Sequence, residues 1–314
     1  MKIARRQTDD GPVLAVLSEG DMLVDLEAGN ELVDLLGDRG RIQDLADRAL
    51  AKRKTVTSLA EAVLSAPLAP PTFRDFSTFP EHTEGVVKLF DPDATVPAEF
   101  WEIPTFYFSN PYAILGPDAD VPIAPGSADF DFELEVGAVV GMGGRDLTVE
   151  EAVDHIAGYV VINDYSARDI QFHEMRLRLG PAKGKDTATV LGQFFVTADE
   201  LSPRVSGPSF DLRMEVAVNG ETVGTDSLDH MAWSFSALAA YASRGTEIRP
   251  GDLLGSGTCS GGCLAELWGR QGREVRPALR PGDVVTTTVD VLGKTRNRIV
   301  EAAPVQPIRA WRSA

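Results

Sequence analysis

The stretch Asp131-Phe132-Glu133-Leu134-Glu135-Val136 constrains this chain more than any other. Phe132, Leu134 and Val136 alternate with carboxylates, the period of a β-strand that keeps one face in a core. The same period puts Glu133 and Glu135 on one face, with Cα atoms roughly 6.6 Å apart. At that separation two bare charges repel, and one cation can be shared. Alone, the pattern is better described as a half-exposed strand that shows its acids to water. A second stretch shifts the reading. Gly158-Tyr159-Val160-Val161-Ile162 has the apolar run of a buried strand, and it leads directly into Asp164, Arg168, Asp169 and Gln171. Solvated loops seldom follow a buried strand with so many different polar groups.

Around these two stretches, 314 residues allow one large core plus a small accessory unit. Net charge is 30 − 47 = −17, which repels phosphate backbones and anionic membrane surfaces, so neither nucleic acid nor membrane is an expected partner. The two cysteines, Cys259 and Cys263, share one Gly-rich loop, too few for a disulfide scaffold and without the further Cys or His nearby that a zinc site needs. A reducing cytoplasm is the expected location. The basic start at Met1–Arg6 is interrupted by Asp9 and Asp10, and Val13–Leu17 is too short for a signal or a span.

Residues 1–68 read as a small α+β unit, with strands near Lys2–Arg5 and Pro12–Leu17 and helices around Leu32–Leu36 and Ile42–Lys52. Ala66-Pro67-Leu68-Ala69-Pro70-Pro71 is a stiff connector, and residues 69–314 form the expected catalytic domain. Thr148-Val149-Glu150-Glu151 is a capping box that opens a short helix through Ile156. Asn219-Gly220 after an alternating run is a two-residue hairpin signal, and a helix is expected over Met231–Ser243. Arg-Pro-Gly-Asp occurs at 249–252 and 280–283, each a turn into a strand. The proline-rich, aromatic segment from Thr83 to Pro104 suits a mobile lid.

Two glycine-rich stretches resemble nucleotide loops and fail as such. Gly180–Asp186 is one residue short between its glycines and has Asp where a magnesium-binding Ser or Thr belongs. Gly255–Gly261 misses the dinucleotide fingerprint by one position, with no crossover helix after it. No Gly-x-Ser-x-Gly elbow supports a serine hydrolase. Asp75, Glu133, Glu135 and Asp164 instead offer oxygen ligands only, which suit Mg²⁺, Ca²⁺ or Mn²⁺. Taken singly, Asp75 or Asp164 reads as a turn cap, His82 as a surface residue and Lys185 as a solvated cation. Together they read as a hard-cation site with an acid–base group seven residues after Asp75.

The chain resembles the fumarylacetoacetate hydrolase family. The likeness rests on Asp-Phe-Glu-Leu-Glu at 131–135, Asn-Asp-Tyr-Ser-Ala-Arg-Asp-Ile-Gln at 163–171, Gly184-Lys185, Gly257-Thr258 and Arg296-Asn297-Arg298. The resemblance implies an α+β fold with a mixed β-roll catalytic domain and a small N-terminal domain, a homodimer, and bound Mg²⁺ or Ca²⁺. It makes Asp75, Glu133, Glu135 and Asp164 the metal ligands. His82 becomes the base that activates water, oriented by Glu266; Lys185, Arg168 and Gln171 face substrate oxygens, and Thr258 holds a substrate carboxylate. Ser77 and Asp91 depart from the pattern, standing where fumarylacetoacetate-cleaving enzymes carry a tyrosine and an arginine.

The implied reaction is hydrolysis of a C–C bond in a β-diketone or acylpyruvate-type acid. An isomerase, decarboxylase or hydratase of a 2-oxo or 2-hydroxy-dienoic acid is the enzymatic alternative. An oxo-acid-binding protein is the alternative outside enzymes, and the combination of His82, Glu266 and Lys185 argues against it, since binding alone does not need them.

Overall fold

A computed structural model describes residues 1–312. Its centre is one 14-stranded mixed sheet whose main path runs Val56–Ser58, Met22–Asp25, Val13–Ser18, Lys2–Arg6, Phe195–Thr197, Ile156–Ala167, Leu134–Val140, Leu253–Gly255, Phe73–Phe76 and Phe106–Ser109. A five-stranded sheet, built on Arg213–Val218, Glu221–Ser227, Val284–Val289 and Gly293–Val300, packs beside it. The architecture is α+β and sheet-rich, in line with the expected fold class.

Local chemistry explains several of these elements. Asn219 and Gly220 take φ of 54° and 82°, the left-handed pair that a tight hairpin demands, and so join Arg213–Val218 to Glu221–Ser227. Asp252 and Asp283 each accept a backbone hydrogen bond from the arginine three residues earlier, closing both Arg-Pro-Gly-Asp turns. The capping box at Thr148 and Glu151 forms in both directions, but its α-helix covers only Val149–Ala152 before tightening to a 3₁₀ turn. The later helix is Phe235–Ser243, capped by Ser234.

Residues 1–68 do not stand apart from the rest. Lys2 and Ile3 pair with Val196 and Phe195, so the strands of this stretch extend the central sheet. Leu14, Val24, Leu35, Ile42 and Leu45 share one buried cluster with Phe73, Val139, Val160, Ile162 and Phe195. The connector Ala66–Pro71 interrupts the chain without interrupting the core.

The acidic strand is covered on both faces. Every residue of Leu134–Val140 is buried, and so are Asp131 and Glu133. Burying ionised carboxylates costs several kcal/mol each unless they are paired, so this face must be built as a site.

Candidate active site and metal centre

Three strands of the central sheet deliver the carboxylates, with Leu253–Gly255 between the acidic strand and the Asp75 strand. Glu135 pairs with Ile162 and Leu134 with Asn163, which sets Asp164 beside the acidic strand. Asp75 lies opposite Gly255 in a parallel pair and opposite Tyr107 in an antiparallel one. One oxygen each from Asp75, Glu133 and Glu135 comes within 4.8 Å of the other two. Asp164 joins them through Tyr107, whose hydroxyl is 2.6 Å from Asp75 Oδ2 and 2.8 Å from Asp164 Oδ2. Gly255 leaves the room: a Cβ there would lie 2.5 Å from Asp75 Oδ1 and 3.0 Å from Glu135 Oε2.

The electrostatics of the cluster divide sharply. Glu133 is ringed by cations, with Arg168 Nη2 at 2.7 Å and Lys185 Nζ in direct contact. Burial opposes its ionisation, but Arg168, Lys185 and His82 outweigh burial and hold Glu133 down at about 2. Glu135 has no such help. Neither of its oxygens, nor Asp75 Oδ1, meets a hydrogen-bond donor among the described residues. Burial, then Asp75 and Glu133, push Glu135 well above the ordinary carboxylate range. Burial and Asp164 push Asp75 up to about 7. Orphaned oxygens on adjacent buried acids are what a divalent cation relieves, and an all-oxygen donor set suits a hard one. Asp75, Glu133 and Glu135 have the donor geometry for such an ion, whereas Asp164, the fourth expected ligand, is bound by Thr189 at 2.7 Å, Tyr107 and Lys185.

Lys185 is buried and bonds Asp164 at 3.1 Å as well as Glu133. Burial disfavours its charge, yet Asp164 and Glu133 keep it protonated above the usual lysine range. Arg168 is turned inward: Nε donates to Asp131 at 2.8 Å and Nη1 to Gln171 at 3.1 Å, while Nη2 faces Glu133. Gln171 thus serves first to hold Arg168. Thr258 is buried in the loop after Leu253–Gly255.

The acid–base pair comes from two packed helices. His82 sits on Pro80–Val87 and Glu266 on Leu264–Gln271, with His82 Nδ1 3.4 Å from Glu266 Oε2. Gly85 permits this approach, since a Cβ there would fall 2.3 Å from Glu266 Cγ. Glu266 also accepts from Gly261 N at 2.7 Å, Ser260 Oγ at 3.1 Å and Arg270 Nε at 3.0 Å. Burial works against its charge, but the His82 hydrogen bond and these partners keep it below the ordinary carboxylate range.

Two residues of the site were not singled out in the sequence. Tyr107 is one, bridging Asp75 and Asp164; its signal was the strand Phe106–Ser109 pairing with the Asp75 strand, which is a tertiary fact. Asp131 is the other. It is fully buried, binds Arg168, and accepts the backbone N–H groups of Leu264 and Ala265 at 2.8 and 3.0 Å, capping the Glu266 helix. Its period-two spacing from Glu133 and Glu135 was visible in the sequence. Ser77 and Asp91 turn to local partners, Thr83 and the backbone of Asp93. The stretch read as a lid is half built into the fold: its start lies in the His82 helix, and Phe100 is buried with its carbonyl accepting from Trp233 Nε1 at 2.9 Å.

The family described as fumarylacetoacetate (FAA) hydrolase C-terminal matches residues 72–300. Fumarylacetoacetase of Bos taurus is 30% identical over 299 residues, 78% of this chain and 71% of that protein. Oxaloacetate tautomerase YisK of Bacillus subtilis (strain 168) is 27% identical over 245 residues, 77% of this chain and 74% of that one. A solved fumarylacetoacetate hydrolase from the psychrophile Exiguobacterium antarcticum shares the fold with a TM-score of 0.73 at 23% identity, over 96% of this chain and 100% of that one. The family match runs through all four clustered acids, the His82–Glu266 pair and Lys185, and with it the chain belongs to the fumarylacetoacetate hydrolase family.

Proposed function

We propose that the chain hydrolyses a C–C bond in a β-diketone or acylpyruvate-type acid. The observation that carries this reading is the His82–Glu266 pair, set with His82 next to the carboxylate cluster through Glu133. A bound divalent cation, Mg²⁺ or alternatively Ca²⁺ or Mn²⁺, supplies Lewis acidity toward the oxygens of a 1,3-dicarbonyl. Glu266 accepts a hydrogen bond from the Nδ1–H of His82, which leaves Nε2 free to take a proton from water. The water oxygen attacks the acyl carbonyl carbon. The C–C bond then breaks with its electron pair on the departing carbon, which leaves as an enolate and is protonated to the oxo acid. The Lys185 ammonium sits among the acids where it stabilises negative charge developing on substrate oxygen. In this reading Arg168 and Gln171 face substrate oxygens, and Thr258 holds a substrate carboxylate. Ser77 and Asp91 bring neither a phenol nor a guanidinium, which favours an acyl group other than fumaryl.

The likeness to an oxaloacetate tautomerase supports a second reading, an isomerase, decarboxylase or hydratase using the same acids, in which His82 or Lys185 moves a proton between carbon and oxygen. One variant separates the two. His82→Ala is expected to lower hydrolysis of an acylpyruvate by the 10²–10⁴-fold typical of a general base while Mg²⁺ still binds. An unchanged rate would leave the second reading in place.

We also propose a homodimer. Exposed Trp101, Ile103, Phe108 and Tyr112 occur close together in sequence, around an edge strand of the central sheet. Static light scattering at micromolar concentration tests it. No helix among the described residues is long and apolar enough to cross a membrane. We place the chain in the cytoplasm, which suits its two free buried thiols.

A further inference from the structure

Beside His82 lies a thiol that the reaction does not use. Cys263 Sγ lies 3.8 Å from His82 Nδ1. One donor atom each from His82, Glu133 and Cys263 falls within 4.8 Å of the other two. In a tetrahedral zinc site, with sulfur about 2.3 Å and nitrogen about 2.0–2.1 Å from the ion, those two ligands stand about 3.6 Å apart. The observed pair needs to close by only ~0.2 Å to match it.

We propose that His82, Cys263 and Glu133 form an inhibitory site for a thiophilic divalent cation such as Zn²⁺ or Cd²⁺, set apart from the all-oxygen cluster by its thiol and imidazole and sharing only Glu133 with it. Sulfur and imidazole select such ions over Mg²⁺ and Ca²⁺. The donors are already held in place. Cys263 caps the Glu266 helix, its Sγ accepting from Glu266 N at 3.4 Å, and His82 is steadied by Glu266. Cys263 is fully buried, but the His82 side chain keeps 12% exposure, which gives an ion a way in past the imidazole. On binding, the Cys263 S–H bond is replaced by a sulfur–metal bond and its proton passes to the buffer. The ion also draws His82 Nδ1 away from Glu266 and engages Glu133, so the base loses its orienting partner. Binding at this site does not depend on the reaction; the inhibition does rest on the role proposed for His82.

The test uses the full chain in millimolar Mg²⁺, titrated with Cd²⁺ and followed by cadmium–thiolate charge-transfer absorption in the ultraviolet, with acylpyruvate hydrolysis measured in parallel. The expected result is a band that saturates at one equivalent in the natural protein and in Cys259→Ser, is absent in Cys263→Ser, and rises together with a loss of turnover that extra Mg²⁺ does not restore. A band of equal size and midpoint in Cys263→Ser overturns the site. So does inhibition without a band that extra Mg²⁺ reverses, since the ion then occupies the oxygen cluster. Should Cys263→Ser not fold, His82→Gln decides: it keeps the thiol, and at least tenfold more Cd²⁺ is expected at the midpoint, whereas an unchanged midpoint overturns the proposal. If the band behaves as expected while no hydrolysis is found in the natural protein, the metal site stands and only the reaction assigned to His82 falls.

Discussion

Gly85 and Glu266 are packed so closely that the helix carrying His82 can accept no side chain at that point: an added Cβ would lie 2.3 Å from Glu266 Cγ and 3.0 Å from Arg270 Nε. The acid–base pair exists because two helices touch at a glycine. Ordinarily, Gly→Ala inside a helix stabilises by about 0.5–1 kcal/mol. Overpacking costs about 1–3 kcal/mol, and here the clash is near the root of Glu266, which cannot simply swing away. Gly85→Ala is therefore expected to lower stability by about 1 kcal/mol and to lower kcat through displacement of Glu266. Denaturant unfolding read beside turnover checks both, and a stabilised, fully active variant would contradict this packing.

Gly255 plays the corresponding part among the acids. Because a Cβ would intrude to 2.5 Å from Asp75 Oδ1, Gly255→Ala is expected to weaken Mg²⁺ binding at least tenfold, a cost of about 1.4 kcal/mol. Calorimetric titration of the metal-free chain measures it. Equal affinity would mean that the ion is not held by Asp75 and Glu135.

The metal-free chain should lose stability as pH rises toward neutrality. Asp75, raised from 3.8 to about 7, and Glu135, raised well above 4.5, bind protons more tightly folded than unfolded. The Asp75 contribution is complete below pH 3.8 and is lost as pH passes through about 7, and the Glu135 contribution acts in the same sense. Glu133, held at about 2, acts in the opposite sense, but only as pH falls from 4.5 toward 2. A divalent cation competes with the protons on Asp75 and Glu135, so the gain in Tm from Mg²⁺ should grow between pH 5 and 8. A gain that is flat or falls across this range would rule out proton–metal competition at these acids.

Asp131 joins the two halves of the site, since one carboxylate holds both Arg168 and the start of the Glu266 helix. Removing one partner of a buried ion pair costs about 3–5 kcal/mol. Asp131→Asn keeps the shape but loses the charge, and it is expected to destabilise by an amount near the lower end of that range. Thermal unfolding with and without Mg²⁺ provides the measurement, and a variant as stable as the natural protein would show that Arg168 is satisfied by Glu133 and Gln171 alone.

Much of the scaffold follows from local rules. The apolar run 158–162, the hairpin at Asn219-Gly220 and both Arg-Pro-Gly-Asp turns depend on side-chain period and on backbone preferences of single residues, so the sequence alone determines them, whereas the alternation at 132–136 forms strand only from Leu134 onward, with Phe132 and Glu133 between two strands. The pairing of Glu133 with Glu135 on one face belongs to this class, as does the −17 charge that disfavours nucleic acid. What the tertiary structure decided is everything that depends on distance across the chain. Continuity of residues 1–68 with the central sheet required Ile3 to meet Phe195, a long-range strand pairing that no local pattern specifies. Tyr107 became part of the acid cluster because its strand lies against the Asp75 strand. Arg168 read as a group for substrate, and folding turned it toward Asp131, Gln171 and Glu133, because a buried guanidinium must spend its donors where acceptors are fixed. Likewise, Cys263 looked inert in a Gly-rich loop and came to rest beside His82, 181 residues away along the chain. Period and turn chemistry act over a few residues, whereas charge pairing and metal-ligand geometry act through space, so only the folded chain could bring them together.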